Sequence, residues 1–136
     1  MSDNMTGSCL CRAVKYIIKG KIKTVANCHC NTCKKVTGGA YGTFAFIDKN
    51  DLKIIEGKET LAAYQISEKA TKHFCHRCGT PTFIFHKKYP RSILIQVGSL
   101  DDLSLVAPAI NAFCESLLPW VKEIADLKCF EKGPTT

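Results

Sequence analysis

Seven of the nine cysteines fall into three tight clusters: Cys9-Leu10-Cys11, Cys28-His29-Cys30-Asn31-Thr32-Cys33 and Cys75-His76-Arg77-Cys78-Gly79. This spacing is a pattern of metal ligation. Residues two apart on an extended strand point to the same face, and a C-x-x-C turn folds two thiolates back toward one point. The outer two clusters supply four sulfurs and the middle one three, so the count predicts two zinc ions per chain. Structural zinc sites are closed by four protein ligands, whereas catalytic sites keep a position open. The odd cysteine total, with Cys114 and Cys129 left over, argues against a secreted disulfide framework. Those two read as small buried hydrophobes.

The four-sulfur set, Cys9, Cys11, Cys75 and Cys78, joins distant segments, so a metal there would close a long loop and tie a sheet together. Its second half is a zinc knuckle, in which Gly79 tolerates the positive φ that such turns often need. A thioredoxin-like reading of the pairs would require a βαβ pattern that this chain lacks. The middle set, Cys28, Cys30 and Cys33, is local and has an open position. Zinc with three thiolates carries one net negative charge, so it is poorly suited to making hydroxide from bound water. It is better suited to lowering a thiol pKa from about 8.5 and holding the thiolate. The other reading of this set is a structural site completed by His29, Cys114 or Asp48.

At 136 residues the chain is expected to form one domain, 1–136, burying roughly two thirds of the surface its unfolded form exposes. Residues 1–6 are polar, and no apolar run approaches the roughly 18 residues of a membrane span. The expectation is a cytoplasmic protein without a secretory or membrane segment, in a compartment where thiols stay reduced. The formal charge of +7 comes from lysines scattered along the chain, with no basic amphipathic helix and no run of five cations. Neither a nucleic-acid nor a membrane partner is expected. Lys34 and Lys35 are set apart because they follow Cys33 and would place positive charge beside the open metal.

Short runs rich in Val, Ile, Phe and Tyr recur at 13–18, 41–47, 52–55, 61–66, 82–85, 93–97 and 109–113. Turn residues separate them, which predicts a mainly β, mostly antiparallel protein. Two helical turns are expected, at Asn31–Thr37 closed by Gly38 and at 99–103. Residues 133–136 read as a loose tail. The histidines take surface or supporting roles by default, with His29 facing away from its flanking cysteines. Gly38 to Gly42 lacks the Lys-Ser/Thr of a P-loop. Trp120 reads equally as core or as a wall of the site.

The order Gly7-Ser8-Cys9-Leu10-Cys11, Cys28 to Gly38, Phe74 to Thr80, Gly98-Ser99-Leu100-Asp101 and Pro119-Trp120 resembles the glutathione-dependent formaldehyde-activating enzyme family, which includes centromere protein V. The resemblance covers nearly the whole chain and implies a β-tent fold with zinc-binding hairpins. It also implies a structural zinc on Cys9, Cys11, Cys75 and Cys78 and a catalytic zinc on Cys28, Cys30 and Cys33. The implied reaction adds the glutathione thiol to formaldehyde, with Lys34 and Lys35 drawing in the glutathione carboxylates. One departure is Asn111, where many members carry histidine, with Cys114 close by. The rival classes are a zinc-stabilised protein-interaction module of the same fold, which would need no open zinc, and a zinc-ribbon nucleic-acid binder, for which the chain lacks a stripe of interleaved aromatic and basic residues.

Overall fold

A computed structural model of the chain describes residues 4–134, so Thr135 and Thr136 of the expected tail and Met1 to Asp3 of the polar start lie outside the described residues. In chain order the strands and helix are β1 (Met5–Ser8), β2 (Lys15–Ile18), β3 (Thr24–Cys28), α1 (Asn31–Thr37), β4 (Gly42–Asp48), β5 (Leu52–Glu56), β6 (Leu61–Gln65), β7 (Ala70–Cys75), β8 (Pro81–His86), β9 (Ser92–Gln96) and β10 (Ile110–Ala112). They form a three-stranded sheet, β1-β2-β5, and a seven-stranded sheet, β10-β3-β4-β9-β8-β7-β6. Every pairing is antiparallel except β10 with β3, which runs parallel and closes one edge.

Alternation along the strands decides which side chains meet. Tyr16 and Ile18 from β2 pack with Val25, Ala45, Ile47, Phe83 and Ile95 from the large sheet, so one core lies between the two sheets. The intervening residues of β4, Phe44 and Phe46, point to the opposite face of the large sheet. They join Ile84, Leu94 and Ala70 there, with Val36 of α1 packed against them. Strand β9 is buried along its whole length because both of its faces are covered.

The sheets are docked by the Gly98 to Asp101 segment. Asp101 takes hydroxyl hydrogen bonds from Ser8 at 2.6 Å and Thr6 at 2.7 Å, and its backbone N–H donates to the Thr6 carbonyl at 2.9 Å. Ser99 donates to the Gln96 carbonyl at 2.8 Å and shares a 2.7 Å hydrogen bond with the fully buried Tyr16 hydroxyl. Burial first of all pushes the Tyr16 phenol up to about 12. Gly7 lies directly on the Tyr16 ring, where any Cβ would overlap it.

The helix at Asn31–Thr37 stands where the sequence places it, with Gly38 in the left-handed region at φ 74° as its cap. Residues 99–103 are not a helical turn. Tight 3₁₀ turns lie at Val97–Ser99 and Leu103–Leu105, and between them Leu100 is extended and bridged to Gly7 of β1, with a bend at Asp101. Cys114 and Cys129 are exposed rather than buried, and Trp120 is 53% exposed, so it is not core. No described helix is long and apolar enough to cross a membrane.

Two outcomes test this docking. Gly7→Ala should cost about 2 kcal/mol of stability in urea unfolding, because the Tyr16 ring has no room to retreat. The Asp101 carboxyl is held below its usual range, first by the Ser8 hydroxyl and then by that of Thr6. Its contribution is therefore full above the unfolded carboxylate pKa and is lost as pH falls through the lower folded value. Asp101→Asn should flatten that acid limb of the stability curve and leave the alkaline limb unchanged.

Candidate metal centres

Cys9 follows β1 directly and lies in a turn, not on a strand. Arg12 N–H closes the turn on the Cys9 carbonyl at 3.0 Å, and Arg12 itself has φ 66°. Cys75 ends β7, and the Gly79 N–H returns to its carbonyl at 2.8 Å with Gly79 at φ 79°. The two turns face each other across the sheets. Their four sulfurs lie within 4.8 Å of one another, with Cys9 to Cys11 at 3.6 Å and Cys11 to Cys75 at 3.7 Å. Around a tetrahedral ion with metal–sulfur bonds of about 2.3 Å, the sulfurs would stand about 3.8 Å apart, so this spacing fits.

Backbone amides support these sulfurs. The Val14 N–H donates to Cys9 Sγ at 3.3 Å and the Arg77 N–H to Cys75 Sγ at 3.3 Å. Thr80 lies 3.2 Å from Cys78 Sγ and accepts the Leu10 N–H at 3.0 Å, joining the two loops. The Thr80 hydroxyl is the main cause that brings the Cys78 thiol down to about 5.

The middle cluster is built by three adjoining elements. Cys28 is the last residue of β3, Cys30 caps α1 from an extended conformation, and Cys33 sits in its first turn. The Cys33 N–H donates to Cys30 Sγ at 3.2 Å, and Cys28 and Cys30 sulfurs are 3.5 Å apart. All three lie within 4.8 Å of one another. The hydrogen bond from Cys33 is the largest cause that lowers Cys28 to about 5, and the same bond pushes Cys33 up. The pair thus favours a thiolate at Cys28 held by the protonated Cys33 thiol, and a metal, which binds thiolates, would have to displace that proton.

His29 points away from the cluster and is 1% exposed. Its Nε2 lies 2.9 Å from Asn111 Oδ1, which also accepts from Asn27 at 3.2 Å. Its Nδ1 is buried with no hydrogen-bond partner. Asn111 belongs to β10, so the edge strand is fastened to the strand that ends in Cys28. Neither His29, Asp48 nor Cys114 joins the three sulfurs as a fourth close ligand.

A cavity of about 430 Å³ opens beside Cys28, Cys30 and Cys33. Its cation is Lys88, accompanied by His86; neither Lys34 nor Lys35 lines it. Lys34 Nζ is instead committed to the Ser116 carbonyl at 2.7 Å and to Asn31 Oδ1 at 3.1 Å. Phe113, with φ 56°, turns the chain so that Ser116 reaches Lys34. The sequence reading missed Lys88 because it is 55 positions from Cys33 and reaches the cavity only through the β8 to β9 turn. The alternation Thr43-Phe44-Ala45-Phe46-Ile47 was the available signal for a second apolar face.

Comparison with known proteins gives a consistent grouping. Residues 4–116 match the family model described as glutathione-dependent formaldehyde-activating enzyme. A Halomonas elongata protein named for that activity is 24% identical over 125 residues, covering 87% of this chain and 80% of its own. An uncharacterised lyase of Schizosaccharomyces pombe is 27% identical over 77 residues, covering 57% of this chain and 54% of its own. A Rhodobacter sphaeroides crystal structure shares the fold with a TM-score of 0.65 at 23% identity, over 79% of this chain and 100% of that one.

The two clusters should differ in what they hold together. Metal at a closed four-sulfur site supplies on the order of 10 kcal/mol of folding free energy, so Cys78→Ser should yield unfolded or aggregated protein. Cys30→Ser should keep the wild-type circular dichroism spectrum, since its partners are sequence neighbours and bridge no sheets.

Proposed function

Because this chain belongs to the glutathione-dependent formaldehyde-activating enzyme family, we infer that its three-cysteine cluster is a zinc-dependent thiol-activating site joining glutathione to formaldehyde. The product is S-hydroxymethylglutathione. The observation that carries this reading is the contrast between the clusters: four sulfurs enclose one centre, whereas three face a cavity. In this reading zinc occupies both, held by Cys9, Cys11, Cys75 and Cys78 in one and by Cys28, Cys30 and Cys33 in the other.

Bound zinc would supply a soft Lewis acid that lowers the pKa of an incoming thiol. The protein's part is positional. The Cys33 N–H fixes the Cys30 sulfur, the β3 to β10 pairing fixes Cys28, and the cavity admits the carbonyl compound to the same wall. A carbon–sulfur bond forms as the carbonyl π bond breaks, and the oxygen ends with the proton that the thiol gave up. No oxidant or reductant enters. In this reading Lys88, at the cavity margin, meets a glutathione carboxylate, while Lys34 Nζ is bonded to the Ser116 carbonyl.

A second reading, an interaction module, draws on the segment after β10. Trp120, Ile124, Leu127 and Phe130 are all exposed there, at 53, 42, 62 and 42%. An exchangeable ligand position at the middle cluster would be superfluous in such a module.

Native mass spectrometry of protein purified without chelator should find two zinc ions per chain. Glutathione should bind with proton release, its affinity rising about tenfold per pH unit below the free thiol pKa. S-methylglutathione keeps the carboxylates but has no proton to lose, and should bind far more weakly. Equal calorimetric affinities for the two would sink the proposed site.

A further inference from the structure

The face of the large sheet opposite the core ends at Cys28, and strand register makes it continuous. Ala26 stands opposite Phe44, Phe46 opposite Leu94, and Leu94 opposite Ile84, across β3, β4, β9 and β8. Cys33 and Val36 of α1 pack against this face and close one side, leaving the cavity of about 430 Å³. Its floor is apolar and buried, with Phe44 3%, Ile84 5%, Leu94 8% and Ala70 8% exposed. Of its polar side chains, Thr32, Ser67, Lys88 and Tyr89 are exposed residues at the margin, and His86 is half-buried at the end of β8.

Neither family reactant uses that floor. Formaldehyde has two heavy atoms and no apolar surface to cover, while an apolar cavity of about 150 Å³ already accepts benzene. Glutathione carries two carboxylates, an ammonium and two amides, and burying these against Phe44, Ile84 and Leu94 without partners is costly. Those groups suit the margin, where Lys88 lies.

The geometry points to a carbonyl substrate with a bulky apolar group, an aromatic or branched aliphatic aldehyde, whose hydrocarbon lies on the Phe44, Leu94 and Ile84 floor beside the three cysteines. This rests on the reading of the cluster as a thiol-activating site. The sulfur lone pair forms a bond to the aldehyde carbon, the C=O π pair moves to oxygen, and the thiol's proton neutralises it. The product is a thiohemiacetal in which the apolar group stays on the floor.

Thioethers of glutathione mimic these products without reacting. On zinc-loaded protein, calorimetry should give S-benzylglutathione roughly tenfold or more tighter binding than S-methylglutathione, from burial of the ring. Ala70→Leu, which fills part of the floor, should bring that ratio back toward one. Should this variant not fold, S-methyl-, S-propyl- and S-hexylglutathione on the wild-type protein serve instead: affinity rising with chain length supports the inference, and a flat series overturns it. Equal binding of the benzyl and methyl ligands, with glutathione itself still bound, overturns the apolar aldehyde alone. Failure of glutathione to bind the zinc-loaded protein overturns the thiol-activating reading beneath it.

Discussion

Cys9 leaves the last residue of a small-sheet strand and Cys75 ends a large-sheet strand, and their sulfurs belong to one cluster. The rest of the structure depends on that meeting. The core between the sheets is made of side chains from both, so it exists only if the sheets are held in one relative position. A metal held by the cluster would pin one corner, and the Asp101 and Ser99 hydrogen bonds to Thr6, Ser8 and Tyr16 pin another. Between these points Gly7 allows the Tyr16 ring to lie against the β1 backbone. A four-residue strand of mostly polar or small residues, Met5–Ser8, could not hold this position by its own apolar burial.

With the sheets so fixed, the large one is free to use its two faces differently. One face is consumed by the core. The other ends in sulfur at Cys28 and carries a recess that the core does not need. Strand β4 serves both, because its alternate residues face opposite ways: Ala45 and Ile47 inward, Phe44 and Phe46 toward the recess. A single strand thereby couples the stability of the body to the shape of the site, and mutations at neighbouring positions should fall on different properties.

Much of this was legible in the sequence, and what escaped did so for physical reasons. The cysteine grouping depends on spacing alone, and the seven apolar runs that signal strands all lie at or within two residues of observed strands. Strands β1, β3 and β7 lack that signal. Met5–Ser8 has almost nothing apolar, Thr24–Cys28 is masked by the cluster it leads into, and Ala70–Cys75 mixes Lys72 and His73 with Phe74 because much of it is only half buried. Exposure of Cys114 and Cys129 could not be read from residue type, since cysteine's preference for the interior gives way where the C-terminal segment lies outside both cores. Lys34 shows what adjacency leaves open: it follows Cys33 in the chain, while its ammonium donates to the Ser116 carbonyl.

The two clusters also differ in when they can exist. Cys28, Cys30 and Cys33 are complete within six successive residues, whereas Cys11 must wait for Cys75, 64 positions later. Contacts between sequence neighbours form quickly and long loops close slowly. Cys9, Cys11, Cys28, Cys30 and Cys33 are therefore all made before the knuckle at 75–78, and the Cys9 pair has no native partners during that interval. The left-handed turn at Arg12 and the capped helix after Cys30 give the two early groups distinct local shapes. In the folded chain these different backbone shapes aim the two groups of thiols at separate centres.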